Sequence, residues 1–268
     1  MEDKKILPVL VLLSLIAGAM IGYYFPKQES GKLETMIQPV VNVNPNPTIT
    51  VSTISQSDEI FNINAQYPQF SLVNPSFNKK ISDLINTRLS EFKKSSQENL
   101  KAMKETITVG EPMPDWKFYF KADWEPAQIN KDYISVVVNV YSFSGGAHGD
   151  SEVYTFNYDL ASKKEITFSN FIGDSQENLK TISRLAIEDL VNQRANFGET
   201  NSKDIKKELE EGGAAPIFDN FNYFTFDNDM VTVYYQKYQV GAGAMGIMKT
   251  SFQKSYLIDQ SISSKYLK

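Results

Sequence analysis

The single histidine of the chain lies in a glycine-rich loop, where residue type alone points to chemistry. His148 stands in the segment SGGAHGD, residues 144–150. An imidazole can serve as acid, base or hydrogen-bond donor near neutral pH, and glycines let the backbone approach a ligand or take a positive φ. A plain hairpin turn explains the same segment, so both interpretations stay open. For a ligand site we expect contacts from this loop and from two tyrosines of neighbouring aromatic runs: Gly145, Gly146, His148, Gly149, Asp150, Tyr141 and Tyr238.

The residue counts exclude most other catalytic and metal chemistry. The chain has no cysteine and one histidine, which removes Cys-His nucleophile pairs, disulfides and thiolate or multi-histidine metal sites. A Ser-His-Asp triad would need His148 itself, and no nucleophile elbow accompanies it. The segment GAGAMG at 241–246 is not followed by the long helix of a dinucleotide-binding motif, and residues 227–229 lack the spacing of a calcium loop. We therefore expect no catalytic residue, no metal site and no cofactor.

The charge balance argues against nucleic acid as a partner. The chain carries 27 Lys and Arg against 32 Asp and Glu, a formal net charge of −5. A polyanion binds best to a basic surface, so we expect no nucleic-acid partner.

An apolar segment near the N-terminus predicts a membrane anchor. Residues 6–25, ILPVLVLLSLIAGAMIGYYF, contain no charge, and in a helix they would span roughly 30 Å, the thickness of a bilayer core. Lys4 and Lys5 precede the segment, which favours a cytoplasmic N-terminus. A cleaved signal peptide is the alternative, but its small-residue site would fall inside the apolar run. We expect residues 1–25 to form a cytoplasmic tip and a single-pass anchor in the cell membrane, with the rest of the chain extracytoplasmic.

The segment after the anchor predicts a stalk. Residues 26–56 are rich in Pro, Asn, Ser and Thr, with Asn-Pro at 44–45 and 46–47. A residue before proline is pushed towards extended geometry, and the stretch lacks helical periodicity. We expect a flexible stalk over residues 26–56.

The remaining sequence predicts an α+β fold with antiparallel sheets and two main packed helices. Asn74 and Pro75 mark the start of the first helix, and Asp174 or Ser175 the start of the second. Runs such as YISVVVNVYSF, at 133–143, are typical of strands. Because helices and strands are segregated along the chain, we expect two α+β domains, at 57–150 and 151–268.

Two motifs resemble a known family. Residues 143–149, FSGGAHG, and residues 156–160, FNYDL, are similar to the extracytoplasmic module that pairs the domains of unknown function 4163 and 3298. RsiV-like anti-sigma factors and PdaC-like peptidoglycan deacetylases carry this module. A later segment of the family is matched more loosely by Tyr238, Val240, Gly243 and Tyr256. The resemblance covers about residues 60–258.

The resemblance implies a binding or sensing role in the bacterial cell envelope. Five residues precede the predicted anchor, which is too few for a sigma-factor-binding segment, and no appended deacetylase domain is expected. We therefore expect a membrane-anchored module that is not an enzyme and that binds a basic, lysozyme-like protein or a cell-wall peptidoglycan glycan. The alternative is an envelope hydrolase that uses His148 with a nearby carboxylate.

Overall fold

The structure is a computed structural model that describes residues 45–106 and 117–268. The described part of the chain is α+β, as expected. Its strands are β1 (Ile49–Ser57), β2 (Phe61–Phe70), β3 (Phe118–Ile129), β4 (Tyr133–Phe143), β5 (Asp150–Asp159), β6 (Lys164–Glu165), β7 (Phe224–Phe226), β8 (Met230–Tyr235) and β9 (Met248–Gln253). Its helices are α1 (Pro75–Thr106), α2 (Phe168–Phe171), α3 (Gln176–Asn196), α4 (Ser202–Glu211) and α5 (Lys254–Asp259).

The first sheet contains six strands in the order β1-β2-β3-β4-β5-β6. Neighbouring strands are antiparallel except β2 and β3, which pair in parallel, with Ile63 opposite Phe120. The expectation of purely antiparallel sheets is therefore wrong for this pair. The connection between β2 and β3 contains α1, and a helix crossover is the kind of link that a parallel pair needs.

Helix α1 begins where the sequence predicted and packs on one face of this sheet. Asn74 caps the helix, since its Oδ1 accepts a hydrogen bond of 3.1 Å from the N–H of Ser76. Apolar residues at spacings of three and four form the buried stripe of the helix: Phe77, Ile81, Ile85, Leu89 and Phe92. They share a core with the strand residues that point towards the helix, such as Phe120, Val138 and Phe156.

The opposite face of the sheet is partly covered by the second half of the chain. Strands β7, β8 and β9 form an antiparallel sheet that shares a core with α3, the second of the two main helices. Ser175 caps α3, accepting a 3.3 Å hydrogen bond from the N–H of Asn178. Buried polar side chains join the layers: Asn157 on β5 donates to the carbonyl of Phe224 at 2.7 Å, and Ser135 on β4 accepts from the N–H of Phe226 at 2.9 Å.

The predicted anchor, stalk and domain boundary can each be compared with the described residues. The anchor at 6–25 lies outside them, and none of the helices in 45–106 and 117–268 combines the length and hydropathy that a bilayer crossing needs. Of the stalk at 26–56, residues 49–56 form most of β1, which pairs along its whole length with β2. The boundary at 150/151 falls at the start of β5, which pairs with β4. The division into two domains stays a prediction.

Candidate functional site

The glycine-rich loop connects β4 and β5 as a hairpin. Ser142 lies opposite Asp150 at the last pair of the two strands. Gly145 and Gly146 have φ of 108° and 94°, values that residues with a side chain rarely adopt. The carboxamide of Asn99 on α1 donates a 2.6 Å hydrogen bond to the carbonyl of Ser144. The two glycines thus make the turn, and α1 holds it in place.

Gly149 makes room for the ring of Tyr141. A Cβ at Gly149 would lie 2.3 Å from the hydroxyl oxygen of Tyr141 and 2.4 Å from its Cζ. The tyrosine ring therefore lies directly on the glycine backbone, with 42% of the residue exposed. The structure brings these two predicted site residues together.

Asp150 and Tyr238 meet through a lysine that the sequence analysis did not single out. Lys237 Nζ lies 3.2 Å from Asp150 Oδ1 and 5.2 Å from the centre of the Tyr238 ring. Tyr238 is 67% exposed and has a φ of 70°. Its ring lies against Gly243, where a Cβ would be 2.2 Å from Tyr238 Cε1. The segment that follows β8 is thereby fixed next to the start of β5.

His148 does not contact a carboxylate in the described part of the chain. Its side chain is exposed, and its Nδ1 lies 2.9 Å from the carbonyl oxygen of the neighbouring Gly149. The nearest acid in sequence, Asp150, is bonded to Lys237. In a triad, a neighbouring carboxylate orients the catalytic histidine. The geometry therefore gives no support to a hydrolase built on His148.

Beside Tyr141 lies a broad, solvent-exposed surface of the first sheet, which we call the open face. Alternate residues of β2, β3 and β4 are buried against α1, and the residues between them point the other way. The open face consists of these outward side chains and those of neighbouring β1: Ser55, Ser57, Asn62, Asn64, Tyr119, Lys121, Asp123, Asn139 and Tyr141.

The strand register arranges the open face in rows. One row crosses four strands, because Ser55 pairs with Asn64, Asn64 with Lys121, and Lys121 with Tyr141. In the next row Asn62 lies opposite Tyr119. Tyr119 and Tyr141 are diagonal neighbours on adjacent strands, a separation of roughly 7–8 Å. Two aromatic side chains, 43% and 42% exposed, therefore stand among amides and hydroxyls.

The charged groups of the open face neutralise each other. Lys121 Nζ lies 2.5 Å from Asp123 Oδ2, and the carboxamide of Asn139 donates to Asp123 Oδ1 at 3.2 Å. The hydrogen bond to Asp123 raises the pKa of Lys121 above its ordinary value. A hollow of about 230 Å³ lies among these side chains and is lined also by Tyr141, Ser151 and Ile247. The surface is polar, nearly neutral and fixed by its own hydrogen bonds.

Apart from Tyr141, the residues of the open face were not among the predicted site residues. The signal was the alternation in FNINAQY, at 61–67, and in FYFKADW, at 118–124, where polar residues or tyrosine occupy every second position. Alternation predicts that one face of a strand is exposed, but the strand partners decide which exposed residues become neighbours.

The described residues do not form a metal centre. Among 45–106 and 117–268, no group of three or more His, Cys, Asp or Glu side chains is placed to hold a metal ion.

Comparison with known proteins confirms the predicted resemblance. Residues 54–151 match the family model described as deacetylase PdaC, and residues 169–254 match the protein family of unknown function DUF3298. The peptidoglycan-N-acetylmuramic acid deacetylase PdaC of Bacillus subtilis strain 168 is 26% identical over 253 residues, or 94% of this chain. Those residues cover 49% of the relative, so the chain spans about half of its length.

Two solved structures align with most of the chain. A member of the DUF3298 family from Bacteroides fragilis aligns over 80% of this chain and 93% of its own, with 14% identity and a TM-score of 0.52. A DUF3298 family protein from Pseudomonas aeruginosa aligns over 83% of this chain and 96% of its own, with 15% identity and a TM-score of 0.48. At such identity the first likeness shows the fold alone.

The comparisons overturn the expectation that the chain is not an enzyme. The model matched by residues 54–151 is described as a deacetylase, and the relative from Bacillus subtilis bears the name of a deacetylase. Both point to an enzyme family. The expectation rested on two grounds: one histidine and no cysteine marked no catalytic constellation, and no appended deacetylase domain was expected.

Proposed function

We propose that this chain acts in the deacetylation of peptidoglycan in the bacterial cell envelope, and that its open face holds the glycan strand. The deacetylation role is supported by the PdaC model at 54–151 and by the named relative. The glycan role is supported by the composition and layout of the open face.

The observation that carries the proposal is the placement of Tyr119 and Tyr141 beside amide side chains on one exposed sheet surface. A tyrosine offers an apolar ring together with a polar hydroxyl, so it can contact the C–H face of a sugar. Asn62, Asn64 and Asn139 offer donors and acceptors for sugar hydroxyls and acetamido groups. Rows of side chains across four strands suit an extended chain of sugars.

The electrostatics of the open face favour a glycan over a strongly basic protein. Lys121 and Asp123 cancel each other's charge, so this surface offers little steering for a cationic partner. A lysozyme-like partner stays a prediction from sequence. If residues 6–25 form the predicted anchor, the module is tethered to the membrane and faces the wall.

The glycan role is tested by removing both exposed rings. We expect Tyr119→Ala with Tyr141→Ala to weaken binding of the full chain to peptidoglycan glycan strands by about fivefold or more, since two ring contacts worth about 0.5–1.5 kcal/mol each are lost. Calorimetric titration measures the change. Tyr256→Ala is the matched control, because Tyr256 is 44% exposed but lies on α5. Equal affinity of the double variant and the parent would contradict the proposal.

The deacetylation role is tested by acetate release from purified peptidoglycan. We expect the full chain to release acetate, and the double variant to need more substrate for the same rate, because it binds the glycan less tightly. If the parent chain released no acetate, the proposed deacetylation role would be contradicted. If the KM of the double variant were unchanged, the open face would not bind the glycan during deacetylation.

A further inference from the structure

A second concave region lies on the far side of the first sheet from the β1 edge, along β5. It is a cleft of about 370 Å³ between α1 and the segment that leads into β7. Leu84 of α1 and the edge-to-face pair Tyr154 and Tyr223, with ring centres 5.8 Å apart, supply apolar surface. Lys80 and Glu165 form an ion pair at the rim. Nothing in the proposed use of the open face requires this cleft.

The floor of the cleft is the outer edge of β5, and that edge is covered on either side of Thr155. Gln236 substitutes for a neighbouring strand at Val153: its Oε1 accepts from the N–H of Val153 at 3.2 Å, and its Nε2 donates to the carbonyl at 2.5 Å. At Asn157, the carbonyl accepts from the N–H of Ile166 at 2.9 Å. Strand β6 pairs with Tyr158 and Asp159.

The main-chain groups of Thr155 therefore point into the cleft. In an antiparallel strand, alternate residues direct both their N–H and their C=O to the same edge. Those of Val153 and Asn157 point away from β4, so those of Thr155 between them do too. Neither Gln236 nor β6 reaches Thr155 among the described residues. One donor and one acceptor thus stand at the base of a partly apolar cleft, where a ligand can pair with them.

The width of the gap decides what can occupy it. An added peptide strand would pair with Thr155 alone, because Gln236 and Ile166 already cover the next outward-pointing residues on both sides. A compact ligand that carries an acceptor, a donor and a small apolar group fits the same gap. The volume is suited to a single small ligand rather than to a long polymer.

We propose that this cleft binds one acetamido sugar of the glycan, a proposal that rests on the glycan role given above. The acetamido carbonyl accepts from the N–H of Thr155, and a ring hydroxyl donates to the carbonyl of Thr155. The acetyl methyl group contacts Leu84 and the two tyrosine rings. The cleft thereby distinguishes the N-acetylated glycan, which is the substrate of a deacetylase, from the deacetylated product.

The test uses the full chain and compares two ligands and variants of Thr155 and Asn222. The probe is a β-1,4-linked tetramer of N-acetylglucosamine, titrated by calorimetry against the same tetramer after removal of its acetyl groups. Thr155→Pro removes both the main-chain N–H that the ligand needs and the side-chain hydroxyl. Thr155→Val is its control, because it removes the hydroxyl and keeps the N–H. Asn222→Trp covers the cleft from its exposed rim without changing the core, and Asn196→Trp on the exposed end of α3 is its control.

We expect the acetylated tetramer to bind at least tenfold more tightly than the deacetylated one. Thr155→Pro and Asn222→Trp should each bind the acetylated tetramer at least tenfold more weakly than their control variants do. If Thr155→Pro does not fold, the comparison of Asn222→Trp with Asn196→Trp tests the inference. Equal binding of the two tetramers, or undiminished binding by the variants, overturns this inference alone. No binding of either tetramer by the parent chain overturns the glycan role and this inference with it.

Discussion

At the scale of single residues, the most recognisable motif of the sequence turns out to hold the fold together. In FNYDL, Phe156 packs edge-to-face on Phe77 of α1, and the hydroxyl of Tyr158 accepts a 2.8 Å hydrogen bond from the N–H of Asn74. Asn157 reaches β7, and Asp159 reaches the C-terminal segment. Phe156 and Tyr158 thus fix α1 to β5, while Asn157 and Asp159 fix β7 and the C-terminal segment to it. The motif was identifiable from sequence, but its contacts are long-range and could not be read there.

Asp159 is the charged member of this motif and gives a pH-dependent prediction. Its carboxylate is buried and accepts from Lys265 Nζ at 2.7 Å and from the N–H groups of Ala161 and Ser162 at 3.0 and 2.9 Å. Burial acts to raise the pKa of Asp159, but the hydrogen bonds from Lys265 and Ser162 outweigh it, and the pKa lies below its ordinary value. The ionised form is therefore the one that the fold stabilises.

We expect Asp159→Asn to lower the free energy of unfolding by about 2 kcal/mol at neutral pH, since hydrogen bonds to a charged group are lost. A carboxylate with a lowered folded pKa stabilises above its unfolded pKa of about 3.9 and ceases to do so as the pH falls through the folded pKa. The difference between parent and variant should therefore shrink in acid.

Urea unfolding at neutral pH and at about pH 3 measures both effects. Asp83→Asn is the control, because Asp83 forms an exposed pair with Lys79 on α1, and such pairs contribute about 0–1 kcal/mol. A loss that stays constant over the whole pH range would show that the charge of Asp159 is not what stabilises the fold.

At the scale of elements, local pattern predicted the helices well and strand partnership poorly. The apolar stripe and cap of α1 are contained in consecutive residues, so they were visible in sequence. The parallel pairing of β2 with β3 joins strands that are separated by a 32-residue helix, and alternation within either strand says nothing about it. The same limit hid the open face, whose rows exist only because that pairing brings Asn64 beside Lys121.

The junction between the two sheets depends on a buried polar cluster, which gives a prediction for elements. Asn157 accepts from the hydroxyl of Ser135 at 2.7 Å and donates to the carbonyl of Phe224, while Ser135 accepts from the N–H of Phe226. We expect Asn157→Ala to lower the free energy of unfolding by about 2–4 kcal/mol, because several buried groups lose their partners.

Asn139→Ala provides the comparison on the same face of the same sheet. Asn139 is half-buried and makes one 3.2 Å bond to Asp123, so its loss should cost no more than about 1 kcal/mol while weakening glycan binding. Thermal or urea unfolding of the two variants separates the cases. If both variants lost the same free energy of unfolding, the buried cluster at Asn157 would contribute no more to stability than the half-buried bond of Asn139.

At the scale of the whole molecule, the two faces of the first sheet differ in how far they are covered. One face is buried under α1, part of the other carries the second sheet, and the rest of that face is exposed. Fold class and the resemblance to PdaC and DUF3298 were accessible from sequence, since both depend on local pattern and motif. The position of the open face was not, because it depends on which strands pair in the folded chain.

The central claim, that the open face holds the peptidoglycan glycan, is tested most directly by hydroxyl-radical footprinting of the full chain with and without glycan strands. Tyr119, Tyr141 and Tyr256 are exposed to nearly the same extent, 43%, 42% and 44%, so their oxidation rates can be compared within one sample. We expect the glycan to slow oxidation of Tyr119 and Tyr141 together and to leave Tyr256 unchanged. Glycan binding that leaves the rates of Tyr119 and Tyr141 unchanged would contradict the claim.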